Sequence, residues 1–439
     1  MKPDTIVALA SGAGRAGVAV IRLSGPAAGA ALQALTARDL PKPRCATREA
    51  FCDPHTGLSL DDGLALWFPG PASFTGEDVA ELHVHGGPAV IAAIIDACLT
   101  QPDVRIAEPG EYTRRAFENG KLDLAEAEGL ADLVDAETEG QRRQALRQRR
   151  GALSAVYEGW RGRLIEAAAL IEAEIDFPDE DLPGELSRRA GPLLQTLAAD
   201  MGRHLDDAHR GERIRDGYRI AIIGPPNAGK SSLLNALAER EAAIVSDIPG
   251  TTRDVVEVRL VLAGFPVWVA DTAGLREAAD AIEAEGVRRA LARAEEADLR
   301  IAVVEVGQDV PPELQGAIRG GDLLVRSKAD QIEAHMSGDM LEVSAVTGIG
   351  LAQLKSQLEA RVAEALGREE APVLTRARHR RLVEEARAAL LRAMPALDTG
   401  AELAAEEVRV AADQIGRLTG RIDVEDLLEE IFSSFCIGK

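Results

Sequence analysis

The strongest constraint on the fold is one loop, Gly224-Pro225-Pro226-Asn227-Ala228-Gly229-Lys230-Ser231-Ser232. The apolar run before it, Tyr218 to Ile223, reads as a buried strand, and Leu233 to Leu237 after it as a helix. A G-x-x-x-x-G-K-S segment between strand and helix is a phosphate-binding loop. Gly224 and Gly229 let backbone N–H groups close around a β-phosphate at the helix N-terminus. Lys230 reaches the β- and γ-oxygens, the Ser231 hydroxyl takes Mg²⁺, and Asn227, Ala228 and Ser232 complete the loop's contacts. From Tyr218 to about Gly367 strands and helices alternate, which predicts a doubly wound α/β sheet carrying that loop.

Two further segments complete a nucleotide switch. The strand Trp268-Val269-Ala270 ends in Asp271-Thr272-Ala273-Gly274, where the Asp can hold the Mg²⁺ water shell and the Gly274 N–H can sense a γ-phosphate. Upstream lies Ser246-Asp247-Ile248-Pro249-Gly250-Thr251-Thr252, and Thr252 is the expected second Mg²⁺ ligand of a loop ordered by the γ-phosphate. The runs Val255 to Leu262 and Val267 to Ala270, joined around Gly264, predict a hairpin and one antiparallel sheet edge. That edge separates GTPases from most phosphate-loop ATPases.

The base reader is Ser327-Lys328-Ala329-Asp330, with Ser344 and Ala345 expected on the next strand to offer N–H groups to guanine O6. Asp330 can accept from guanine N1–H and N2–H₂. The usual first residue of this motif is Asn, and losing it would weaken binding by about 1 kcal/mol. After Gly274 comes Leu275, whose apolar side chain cannot orient a water. Glu283 is the candidate water-positioner, the plainer reading being a solvated helix residue. The Asn227 carbonyl could bind a monovalent cation against the phosphates.

Around this insert the texture differs. From Thr5 to about Phe117 short β-like runs (Ile6–Leu9, Val18–Leu23, Leu64–Phe68, Val79–Val84) and a helical stretch at Ala89–Leu99 predict an α+β domain. Leu146, Leu153, Trp160, Leu164 and Ile171 read as one stripe down a long helix, and Arg376 to Phe435 is helical with a break at Pro395 and Gly400. The expected domains are 1–120, 121–215 helical, 216–370 for the inserted G domain and 371–439 helical. The net charge of −22 leaves no general attraction to nucleic acid, so RNA would need a local patch or a partner. Four scattered cysteines fit a reducing cytoplasm, nothing reaches the length of a membrane span, and His83 and His85 lack a third metal ligand.

Three features outside the G domain resemble the tRNA-modification GTPase family MnmE/TrmE. They are Thr5-Ile6-Val7-Ala8 with Arg22-Leu23-Ser24-Gly25, the segment Pro109 to Leu124, and the tail Phe435-Cys436-Ile437-Gly438-Lys439. The resemblance implies a tetrahydrofolate-binding-like N-terminal domain that also dimerises, a helical domain, and the inserted G domain. It implies a homodimer that works with a flavoprotein, MnmG/GidA, in a heterotetramer. Together they would install an aminomethyl-type group at C5 of a tRNA wobble uridine, with 5-formyltetrahydrofolate or a related folate as carbon donor. Arg22, Glu81, Lys121 and Lys439 would contact the folate, and Cys436 near the tail is a further residue of interest. K⁺ bound by Asn227, Ser246, Ile248 and Thr251 would activate hydrolysis when two G domains meet, with Glu283 positioning water. The rival expectation is an Era-like ribosome-assembly switch without folate chemistry.

Overall fold

The computed structural model describes residues 4–176, 186–207, 209–240, 257–271, 295–332, 340–367, 373–422, 425–433, 435 and 437–438. Its contacts divide the chain into two units, Met1–Ala131 with Arg149–Gly162 and Ala412–Lys439, and Asp132–Gln148 with Arg163–Ala411.

In the first unit the described strands are β1 (Thr5–Leu9), β2 (Ala16–Ser24), β3 (Thr47–Cys52), β4 (Ser59–Phe68), β5 (Val79–Gly86) and β6 (Val104–Ile106). They form one sheet in the order β3-β4-β5-β2-β1-β6, antiparallel except for the β1–β6 pair. The strands β3 and β6 escape a reading of hydrophobic runs. One is an edge strand of mixed polarity, Thr-Arg-Glu-Ala-Phe-Cys, and the other has only three residues.

Both faces of this sheet are covered at β1, which is why Ile6, Val7 and Ala8 are all buried with no alternation. Val7 packs with Ile21, Leu23 and Leu82 and with the helices Ala28–Thr36 and Pro88–Leu99. Ile6 and Ala8 face the other way, against Tyr112 of the helix Glu111–Glu118 and against Phe74. Strand parity puts Arg22 and Glu81 on this second face, because their neighbours Ile21, Leu23, Ala80 and Leu82 point to the first.

The C-terminal segment closes on the same unit. Phe432 of the helix Glu425–Ser433 is buried, with Phe117 and Phe435 at ring distances of 6.4 and 5.3 Å. Beyond it Ile437 bridges to Pro109, and Gly438 takes φ +98° where a Cβ would stand 2.1 Å from the Leu9 carbonyl. Only glycine permits that approach.

The second unit contains β7 (Tyr218–Ile223), β8 (Glu257–Leu262), β9 (Phe265–Asp271), β10 (Leu299–Glu305), β11 (Leu323–Ser327) and β12 (Leu341–Glu342). Their order is β12-β11-β10-β7-β9-β8, and every pair is parallel except the edge hairpin β8–β9. Ala263 and Gly264 turn that hairpin at φ +51° and +80°, the left-handed pair a tight hairpin turn requires. Ile220, Ile222, Val267 and Val269 pack with the helices Lys230–Arg240 and Leu351–Leu366, while Ala221, Ile223 and Val304 pack with Leu314. The fold is thus an α/β doubly wound layer, as the alternating texture predicts.

The helix Ala377–Ala396 packs along Leu186–Leu205 in this unit, and buried Arg380 fastens the pair. Its guanidinium donates to the Leu205 carbonyl at 2.7 Å, to Asp207 at 2.5 Å and to Glu212 at 3.2 Å. One expectation about the helices is corrected. Leu146 is not on the stripe of Leu153, Trp160, Leu164 and Ile171, because the helix Glu139–Arg149 ends before Gly151 (φ +81°) and a new helix runs Ala152–Asp176. The other four are buried; Leu146 is half-buried.

Candidate functional site: a phosphate loop joined to a base-reading loop

The phosphate loop leaves β7 through Gly224, whose φ of +152° brings its Cα against β10. A Cβ there would lie 2.2 Å from the Val303 carbonyl, so no other residue fits. Asn227 and Gly229 also take positive φ, +61° and +84°. Asn227 is exposed at the loop surface. Lys230, only 4% exposed, donates from Nζ to the carbonyls of Gly224 at 2.9 Å and Pro225 at 2.8 Å. Burial lowers its pKa, and the Asp271 charge opposes the shift. A lysine ammonium curled onto carbonyls is what an incoming phosphate would draw out.

Ser231 at the helix start donates to the Asp271 carboxylate at the end of β9. Two oxygen ligands converging beside a buried lysine suit Mg²⁺, which prefers oxygen donors and keeps part of its water shell. Ser232 and Ser231 are exposed, and Ala228 is buried beneath the loop.

The base-reading residues stand at the end of β11. Lys328 takes φ +59° and pairs with Glu305 at 2.9 Å, while buried Ala329 donates its N–H to the Val343 carbonyl at 3.1 Å. Asp330 is exposed, and its Oδ1 accepts from the Ser344 hydroxyl at 2.5 Å. Ser344 in turn accepts from the N–H groups of Val346 and Thr347. Ser344 and Ala345 lie in the turn after β12 rather than on the strand, because β12 ends at Glu342. Ser327 donates to the carbonyl of Ala228 at 2.5 Å, joining this loop to the phosphate loop.

Other expected residues lie outside the described ones: Ser246, Asp247, Ile248, Pro249, Gly250, Thr251, Thr252, Thr272, Ala273, Gly274, Glu283, Cys436 and Lys439.

A second polar site lies on the sheet of the first unit. Arg22 and Glu81 are direct cross-strand partners on β2 and β5, bonded at 2.9 to 3.0 Å and about one-fifth exposed. The Arg22 guanidinium stands 5.7 Å from the ring centroids of both Phe74 and Tyr112, within cation–π range. The Tyr112 hydroxyl donates to the Arg22 carbonyl at 2.6 Å, and burial raises its pKa. Lys121 donates to the Pro71 carbonyl at 2.8 Å. Phe74 is not legible as part of this site, since it lies 52 positions after Arg22 in a loop with no periodicity; only the fold brings its ring to Arg22. His83 approaches Glu81 at 3.4 Å, and His85 bonds Asp61.

Residues 5–121 match the family described as GTP-binding protein TrmE N-terminus, and residues 124–436 match the MnmE helical domain. A tRNA modification GTPase MnmE from Parvibaculum lavamentivorans is 59% identical over 438 residues, covering 99% of this chain and all of that protein. The chain belongs to the MnmE family of tRNA modification GTPases. Members from Maricaulis maris, at 57% identity with 99% of both chains covered, and from Caulobacter vibrioides, at 54% with 99% and 100% covered, agree along the whole length. Membership of the MnmE family makes the chain a GTP hydrolase, with an N-terminal TrmE-type domain and a family-specific helical domain around its α/β sheet. Among the described residues no helix is long and apolar enough to cross a membrane.

Proposed function

We propose that this GTPase acts in the cytoplasm as a homodimer that, with a flavoprotein of the MnmG/GidA type, builds an aminomethyl-type group on C5 of a tRNA wobble uridine. GTP would sit between the phosphate loop and the base-reading loop. Ser231, Thr252 and Asp271 would serve its Mg²⁺, and Glu283 would position the attacking water. K⁺ held by Asn227, Ser246, Ile248 and Thr251 would supply positive charge where the transition state gains negative charge. The domain limits that go with this reading are 1–120, 121–215, 216–370 and 371–439.

The observation that carries the folate part is the Arg22–Glu81 pair between two aromatic rings. A guanidinium suits the carboxylates of a folate, a carboxylate suits the donors of its pterin, and flat rings suit a flat heterocycle. Lys121 and Lys439 would add positive charge. When bound, the folate supplies the one-carbon unit; the protein's part is to hold and orient it.

The test is folate binding by the full-length chain, with 5-formyltetrahydrofolate as ligand and GTP hydrolysis as a control. Arg22→Ala is expected to weaken folate binding by tenfold or more, as lost charge-assisted hydrogen bonds require, and to leave hydrolysis unchanged. Undetectable binding at high micromolar folate by the unaltered chain would favour an RNA-binding switch without folate chemistry.

A further inference from the structure

We infer that Ser327 is a positioning residue that pins the phosphate loop to the base-reading loop, and that this chain in consequence leaves guanine N7 unread. The inference rests on GTP occupying the phosphate loop and adds how the base is held there.

The Ser327 Oγ lies 2.5 Å from the carbonyl oxygen of Ala228 and 3.3 Å from that of Val304. A carbonyl can only accept, so an approach this close has the hydroxyl proton between the two oxygens. Serine carries one such proton. Guanine N7 is also only an acceptor, and the hydroxyl has no second proton to offer it. The side chain is buried, 5% exposed, and an added Cβ on Gly229 would sit 3.6 Å from the Ser327 Cβ. Ser327 is therefore packed against the underside of the phosphate loop.

The Asn usual at this position differs in one way that matters. Its carboxamide has two protons and a longer reach, enough to hold a loop carbonyl and meet N7 at once. Serine keeps the first of these and gives up the second. Guanine would then be selected on its Watson–Crick edge by Asp330, which Ser344 orients at 2.5 Å. Ala228 is itself buried, so its carbonyl has no water to turn to if the hydroxyl is removed.

The experiment is calorimetric titration of the full-length chain with GDP and with 7-deaza-GDP, in which N7 is replaced by C–H. The unaltered chain is expected to bind the two within about twofold of each other. Ser327→Ala should weaken both by the same factor, roughly tenfold for a buried acceptor left unsatisfied. Ser327→Asn should acquire a preference for GDP over its 7-deaza analogue. Loss of overall stability lowers both affinities together and does not create selectivity at N7. A tenfold or greater preference for GDP in the unaltered chain overturns the inference, as does a Ser327→Ala variant that binds both nucleotides as tightly as the parent. A parent chain that binds neither nucleotide overturns the phosphate-loop assignment itself.

Discussion

At the scale of residues, the nucleotide site shows which chemistry a sequence displays and which it hides. Gly224, Gly229, Lys230 and Ser231 are legible because their spacing is dictated by a phosphate and by one strand-to-helix turn. The partners of those residues are not. Ser327 meets Ala228 across 99 positions of chain, and Ser231 meets Asp271 across 40. No local pattern encodes such contacts; the parallel sheet makes them by bringing strand ends together. Asp330 has a sharper consequence. Its carboxylate, held by Ser344, is the acceptor proposed to meet the donors of guanine. Asp330→Asn exchanges one of those acceptors for a donor, so preference should move from GDP to XDP by about 10²-fold or more. Competition between the two diphosphates measures it, and an unchanged choice of GDP would remove Asp330 from base recognition.

At the scale of elements, the helix Glu111–Glu118 holds the second face of the N-terminal sheet by an ionic cluster as well as by Tyr112. Glu111 is buried and accepts from Arg105 on β6 at 2.5 and 2.8 Å, from Arg115 at 2.9 Å, and from the Glu108 N–H at 2.9 Å. Burial pushes the Glu111 carboxyl up, but hydrogen bonds from Arg105, Glu108 and Arg115 outweigh it and hold the group below the usual carboxylate range. A lowered folded pKa contributes stability above the unfolded value, about 4.3, and that stability is lost as pH falls through the folded one. Glu111→Gln should therefore cost roughly 2 kcal/mol near neutral pH. The gap between variant and parent should close below about pH 4. Denaturant melts at several pH values test this, and a pH-independent gap would mean that the carboxylate's charge is not what stabilises the helix. Elements also mark where pattern reading stops. The hairpin β8–β9 was legible from two apolar runs around Gly264. By contrast, β3 and β6 are defined by their neighbours, and a seven-residue spacing carried Leu146 onto a helix from which Gly151 separates it.

At the scale of the whole molecule, most of the organisation could be read because each part obeys its own period. Alternating runs mark the N-terminal sheet, continuous apolar strands mark the parallel sheet, and long helical stripes mark the flanks. What periodicity could not carry was the chemistry of the Arg22 face, made by residues whose types, taken singly, are those of an ordinary surface. The protein's charge of −22 bears on its partners in the same way. A tRNA would find no favourable overall field, which fits the proposal that a flavoprotein partner shares the work. In the proposed mechanism, GTP hydrolysis depends on a monovalent cation at Asn227. The most direct test of that dependence is steady-state GTP hydrolysis at matched ionic strength in KCl and in NaCl. Stimulation by K⁺ of about tenfold or more is expected for a charge placed at the transferring phosphoryl group. Equal, slow rates in both salts would contradict it.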